Sequence, residues 1–284
     1  MNLLQAIILG IVQGLTEFLP ISSTAHLTLA GKFFGLITPE TSKAWTAFIA
    51  VMQLGTLVAV IAYFYQDIMQ MMLSLWNDFK TYGISKGIKQ YSFPSKLAMY
   101  VILGTVPIAL IGLGFKDVIE GMFTKSTVVI ATSLIGLAIL LAAAEKMARH
   151  SKKLEQISLG DSLLIGVAQA MALIPGSSRS GTTLTAGLFL NLTREAAARF
   201  SFLLSIPAVA ASGLLQLPKV AGGAGSFGVV NLAVATIVSA IVGYAAIAWL
   251  LKFLSTNTTF SFVIYRIALG LFLFALLFFG VMEF

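Results

Sequence analysis

The chain has 284 residues, 58% of them hydrophobic and 10% charged, with no Cys and a mean hydropathy of +0.95. Soluble domains carry about 25% charged residues, so a water-soluble globule and a disordered chain are both excluded, as are a disulfide-stapled fold and a thiolate metal site. The net charge of +7 reads as loop charge beside a membrane and not as a nucleic-acid surface.

A helix crossing roughly 30 Å of hydrocarbon needs about 20 apolar residues. The first apolar stretch, Asn2–Leu36, is broken at Pro20–Thr24, and neither half is comfortably long enough to span. It predicts a re-entrant helix–loop–helix hairpin whose irregular tip is buried in protein or lines a wet cavity. Its start lacks a basic run, so it does not read as a cleavable signal peptide. Spans follow at Trp45–Tyr65, Leu97–Phe115 and Ser126–Ala144. Met69, Met71 and Met72 read as interfacial packing beside a Lys-rich loop, and His150 as a solvated residue of a second basic loop. A second stretch, Ser162–Leu192, is broken at Pro175–Thr183 and predicts a second hairpin. Three further spans complete six: Phe200–Leu217, Val229–Leu251 and Ser261–Met282. Gly222–Gly228 reads as a flexible loop. The fold class is thus an all-α polytopic membrane protein, one integral domain over residues 1–284.

Loop charge orients the chain. Lys80, Lys86, Lys89, Lys96, Lys146, Arg149, Lys152, Lys153, Arg194, Arg199 and Lys252 fall on one side by alternation; Lys32, Lys43, Lys116, Lys125 and Lys219 fall on the other. The positive-inside rule makes the first side cytoplasmic and leaves both chain ends outside. The hairpins then enter from opposite faces. Their sequences echo each other, Gly10-Ile-Val-Gln13 through Pro20-Ile-Ser22-Ser23 against Gly166-Val-Ala-Gln169 through Pro175-Gly-Ser177-Ser178. With three spans after each, the chain reads as an inverted-topology repeat with halves near 1–150 and 151–284. Broken segments at matching places in such halves point to a ligand site near the midplane.

Polar groups inside apolar segments need a reason. Glu17 stands four residues after Gln13, on one helical face. Ser22, Ser23, Thr24 and His26 follow the first break. Gly176, Ser177, Ser178, Arg179, Ser180 and Thr183 occupy the second. Should the two tips meet, one pocket gains a carboxylate, an imidazole, a guanidinium and many hydroxyls. Arg offers a planar fork for phosphate oxygens, and the glycines and a helix start supply backbone N–H groups to an anion. Glu17 with Gln13 suits a hard divalent cation. His26 suits proton transfer, and Ser23 is a candidate nucleophile if His26 or Glu17 reaches it. The hydroxyls also suit helix caps and interhelical bonds. Arg266 is expected to snorkel or pair outside the site.

The runs Gly10–Leu27 and Pro175–Thr183 together resemble the undecaprenyl-diphosphate phosphatase family, also called bacitracin resistance protein, and the span pattern agrees over essentially the whole chain. One departure is Gln13, where many members carry Glu. The resemblance implies hydrolysis of undecaprenyl diphosphate to undecaprenyl phosphate and inorganic phosphate, with Mg2+ or Ca2+ as cofactor. It also implies a bacterial inner-membrane location, a site open to the outer side, and membrane lipids as surroundings. In that frame Ser23, His26, Glu17 and Arg179 are the catalytic candidates. Ser22, Thr24, Gly176, Ser177, Ser178, Ser180 and Thr183 would bind substrate, and Glu17 and Gln13 the metal. The nucleophile stays open between Ser23, His26 and metal-bound water. A polyprenyl-phosphate flippase on the same scaffold is the alternative. Small residues such as Gly112 and Gly114 would suit packing within or between chains, and a homodimer is compatible with them.

Overall fold

The computed structural model describes residues 1–83, 88–223 and 227–280. Lys86, Met282 and part of the Gly222–Gly228 loop, all invoked above, lie outside them. Among the described residues the ordered elements are helical, joined by one isolated bridge between Lys152 and Leu192.

Among the described residues six helices are long and apolar enough to cross a membrane: α3 (Ser42–Tyr63), α5 (Phe93–Gly114), α7 (Thr127–Met147), α10 (Arg194–Gly223), α11 (Val229–Thr256) and α12 (Phe260–Phe278), with the five-residue α6 (Lys116–Glu120) between α5 and α7. They coincide with the six expected spans. At 1.5 Å per residue, the 22 residues of α3 reach about 33 Å, enough for the hydrocarbon. The span expected to open at Phe200 begins at Arg194 and runs through Pro207 and Pro218 to Gly223, taking Gly222 and Gly223 from the expected loop.

Two broken segments each precede three of these spans. The first comprises α1 (Leu3–Phe18) and α2 (Ser23–Phe33); the second comprises α8 (Leu159–Ala170) and α9 (Arg179–Phe189). Both breaks come from the same chemistry. Leu19 and Ile174 each precede a Pro and are extended, at φ −67°, ψ 140° and φ −77°, ψ 123°, because the ring of the following Pro disfavours the helical region. Each new helix then starts from a Ser with positive φ. Ser22 (+75°) caps α2 through Ala25 N, and Ser178 (+68°) caps α9 through Gly181 N. Such geometry in a non-glycine residue costs on the order of 1–3 kcal/mol and persists only where the surroundings impose it. Both capped helices are 11 residues long.

Close backbone approach seats the broken segments on the long helices. α1 packs along α11 and α8 along α5. A Cβ at Gly10 would stand 2.6 Å from the Ala235 carbonyl, and one at Gly166 would stand 2.1 Å from that of Gly104. Neither glycine could be enlarged without parting its helix pair. α3 packs against α10 and α11, and α7 against α12.

One element was not expected. The Lys-rich loop contains α4 (Tyr65–Tyr82), an amphipathic helix that buries only Met71. Tyr65, Met69, Met72, Leu73, Trp76 and Phe79 are exposed along it at a spacing that forms a single stripe. Met71 is therefore core packing, while Met69 and Met72 belong to the open face. Asp78 joins α4 to the start of α5, accepting from the backbone N–H of Ser92 at 2.8 Å and from the hydroxyls of Ser92 and Ser95 at 2.7 and 2.6 Å. Those bonds hold its carboxyl below the usual Asp range, the Ser95 hydroxyl contributing most.

Candidate active site

The two breaks meet. Arg179, first residue of α9, forms an ion pair through Nη2 with Glu17 Oε1 near the end of α1. The other oxygen of that carboxylate, Oε2, accepts from Gln13 Nε2 at 2.9 Å and from Ser23 Oγ at 2.7 Å. Glu17 is nearly fully buried. A guanidinium and two hydrogen-bond donors surround the buried carboxyl group, the company that a buried acidic group needs. Four residues singled out in the sequence thus form one connected cluster.

Helix direction adds to this. Ser23 and Arg179 each occupy the first helical position after a serine cap. The N-termini of α2 and α9 therefore converge on the Glu17 carboxylate, and helix N-termini carry unsatisfied N–H groups and partial positive charge. The sequence echo aligned Ser22–Ser23 with Ser177–Ser178. The caps instead pair Ser22 with Ser178, because the second break holds one more residue between Pro and cap. Ser23 then corresponds to Arg179.

Arg266 ties the tips together. It is wholly buried and donates through Nη1 to the Pro20 carbonyl at 3.1 Å. Through Nη2 it donates to the Gly176 and Ser177 carbonyls, both at 3.1 Å. Further bonds reach the Leu134 and Ser133 carbonyls on α7 at 3.2 and 3.4 Å. It therefore pairs with backbone and does not snorkel. Ser180 Oγ adds a bridge to the Leu19 carbonyl at 2.9 Å. Gly176 has φ +88° and leaves no room for a side chain beside the Ile130 carbonyl, so glycine is required there.

The remaining candidates divide by partner. Ser22, Ser178 and Ser180 hydroxyls are engaged in capping or in protein bonds. Thr183 Oγ1 bonds the Arg179 carbonyl at 2.8 Å and Ser201 Oγ on α10 at 2.5 Å. Thr24 is partly exposed on the first turn of α2. Ser177 Oγ is buried without a hydrogen-bond partner, as are Gln13 Oε1 and both amide atoms of Gln169. His26 makes no hydrogen bond to Ser23. Its Nδ1 lies 2.7 Å from the Ser22 carbonyl and its Nε2 lies 2.6 Å from Tyr265 Oη.

Residues 6–272 match the family described as bacitracin resistance protein BacA. The chain belongs to the BacA family. It is 55% identical to a protein of Syntrophobacter fumaroxidans named undecaprenyl-diphosphatase, over 95% of each chain. Proteins of the same name from Chloroherpeton thalassium and Paenarthrobacter aurescens are each 48% identical, covering 100% of this chain and 99% and 100% of theirs. None of these names supports the flippase alternative.

Two features of this BacA-family chain were not found from its sequence. Tyr265 carries no motif, and its link to His26 spans 239 positions. The other is His150, expected in solvent. Its ring is 20% exposed, with Nε2 3.3 Å from Arg194 Nη2, beside the buried Glu145–Arg194 ion pair. Arg194 and His150 also line a cavity of about 800 Å3, together with Asp67, Arg199, Phe93 and Leu254. No predicted site residue lines it. Within its lining Arg199 pairs with Asp67, and Arg194 pairs with Glu145, which lies outside the lining.

Proposed function

We propose that the chain is a membrane phosphatase that hydrolyses undecaprenyl diphosphate to undecaprenyl phosphate and inorganic phosphate. The observation that carries the reading is the 2.7 Å bond from Ser23 Oγ to Glu17 Oε2, with Arg179 on the same carboxylate. Family membership and the names of the relatives agree with it.

The arrangement can act as follows. The diphosphate enters between the N-termini of α2 and α9, and Arg179 turns its fork from Glu17 to the phosphoryl oxygens. Glu17 is then left to Ser23. Ser23 Oγ attacks the terminal phosphorus, its proton passes to Glu17, and the bond from that phosphorus to the bridging oxygen breaks, releasing undecaprenyl phosphate. Water then attacks the phosphoserine, the carboxyl group returns its proton to the departing Ser23 Oγ, and both protons of the water leave with the inorganic phosphate, so that Glu17 is again a carboxylate. Positioning and charge stabilisation supply most of the acceleration in phosphoryl transfer. His26, with both ring nitrogens engaged, holds the first tip, and Glu17 serves as the base.

A divalent cation, Mg2+ or Ca2+, fits beside Glu17. The unpartnered Gln13 Oε1 is a hard oxygen donor next to the carboxylate. The described residues contain no group of three or more carboxylates or imidazoles, so the substrate's oxygens and water would complete its shell, as Mg2+ prefers. Bound there, it neutralises diphosphate charge.

We place the protein in the bacterial cytoplasmic membrane with the breaks as re-entrant hairpins of an inverted repeat and the site open to the outer side. Loop charge and the matching caps support this. The reaction would recycle the lipid carrier for cell-wall synthesis and give bacitracin resistance. Quenching turnover in acid tests the chemistry. An acid-stable, base-labile phosphoadduct mapped to Ser23 is expected. An acid-labile adduct on His26, or near-normal turnover by Ser23→Ala, would defeat the scheme.

A further inference from the structure

Tyr265 is 43% exposed on α12, close to exposed Ile264, Leu271 and Phe272. On such a face a Phe ring would pack equally well, so the hydroxyl needs its own explanation. It has one: Tyr265 Oη lies 2.6 Å from His26 Nε2, and the two rings are nearly parallel, 8° apart with centroids at 5.7 Å. The opposite nitrogen, Nδ1, lies 2.7 Å from the Ser22 carbonyl. A carbonyl only accepts, so Nδ1 carries the proton. In a neutral ring Nε2 is then the acceptor, and the phenol donates to it.

We propose that Tyr265 is a positioning residue for the phosphatase reaction: it locks His26 in the Nδ1–H tautomer and, through it, holds the Ser22 carbonyl from which Ser23 departs. The inference rests on the phosphatase reading given above. The Ser22 carbonyl belongs to the positive-φ cap of α2 and accepts from both Nδ1 and the backbone N–H of His26, the latter at 3.3 Å. Ser23 is the next residue, and its hydroxyl must stay on Glu17. Flipping the imidazole would set the Cδ2–H against that carbonyl, and moving its proton to Nε2 would set a lone pair there; either loses the bond and releases the cap. The phenol opposes both changes, because its own proton occupies the Nε2 lone pair. Arg266, the next residue of α12, bonds the Pro20 carbonyl. Adjacent side chains of one helix therefore hold the first break on either side of Ser22.

The chain has two histidines, His26 and His150; a His150→Gln background leaves His26 as the single imidazole for 15N NMR of histidine-labelled protein in detergent. A pure Nδ1–H tautomer is expected. Tyr265→Phe should give mixed tautomers and lower kcat about 3- to 12-fold, the loss of one well-made hydrogen bond. KM should stay within twofold and the melting midpoint within about 5 °C of the parent. In a His26→Gln background, Tyr265→Phe should have no further effect on kcat, since the phenol acts through the imidazole. A single Nδ1–H tautomer in Tyr265→Phe, kcat within twofold of the parent, or a full additional loss in the His26→Gln background would overturn the proposal. The tautomer is read without turnover. Absence of phosphate release from the unsubstituted protein would therefore count against the phosphatase reading and not against this assignment.

Discussion

Replacing Arg179 with Lys keeps a positive charge and removes the fork. Nη2 of Arg179 meets Glu17 Oε1 with the side chain 17% exposed, in a site largely shielded from water. A guanidinium presents five donors in a fixed plane and can bond two phosphoryl oxygens in parallel; an ammonium offers a compact point charge. The substitution thus removes one charge-assisted hydrogen bond, worth about 1.5–3 kcal/mol. At about 1.36 kcal/mol per decade, kcat/KM should fall roughly 10- to 150-fold. Phosphate release from lipid diphosphate by purified protein in detergent, at saturating divalent cation, measures it. Arg179→Ala goes further, since it leaves the buried Glu17 without its cation. Breaking a buried pair from one side costs about 3–5 kcal/mol, so this variant should lose stability as well as turnover. Arg179→Lys within threefold of the parent would refute the phosphate-clamp role, whatever Arg179→Ala did.

Two further outcomes follow from parts of the molecule away from the site. Asp78 has its pKa depressed in the folded chain by the Ser95 and Ser92 hydrogen bonds. Its contribution is therefore present above the unfolded value near 3.8 and is lost as pH falls through the lower folded value. Asp78→Asn should lower the melting midpoint at neutral pH, with the difference closing in strong acid; an equal difference at all pH values would contradict this. Because the chain has no Cys, thiol mapping tests orientation directly. Exposed Lys43 and Lys89 lie on opposite sides by span alternation. Lys43→Cys should react with an impermeant maleimide in intact cells and Lys89→Cys only after permeabilisation, and the reverse pattern would invert the proposed topology.

Much of this architecture is legible in the chain because a bilayer makes length and polarity decisive. Six runs near 20 residues can only be spans, and Pro20 and Pro175 mark the breaks. Intramembrane Glu17 and Arg179 are costly enough to advertise a function. α4 is hidden in the sequence because its stripe, from Tyr65 to Phe79, is interleaved with polar residues such as Asp67 and Asp78, so that no apolar run marks it. The pairing of the breaks was misaligned by one residue because a sequence echo follows the prolines, whereas the geometry follows the capping serine. His26 was matched with Ser23 by nearness along the chain. On a helix, however, the ring reaches back four positions to the Ser22 carbonyl, and its other partner, Tyr265, lies on the last described helix. Arg266 was visible as a charge in an apolar run, but only the fold shows that its partners are carbonyls from both tips.

The equivalence of Ser23 and Arg179 has a consequence for how the two halves depend on each other. The same position after the same kind of cap holds a hydroxyl in one break and a guanidinium in the other. In the proposed reaction, the first break paired with a copy of itself would present two nucleophiles and no clamp; the second would present two clamps and nothing to attack. In that scheme reactivity resides in neither half. It arises only where unlike halves meet, so that once each break has specialised, neither can be lost or replaced by a duplicate of the other.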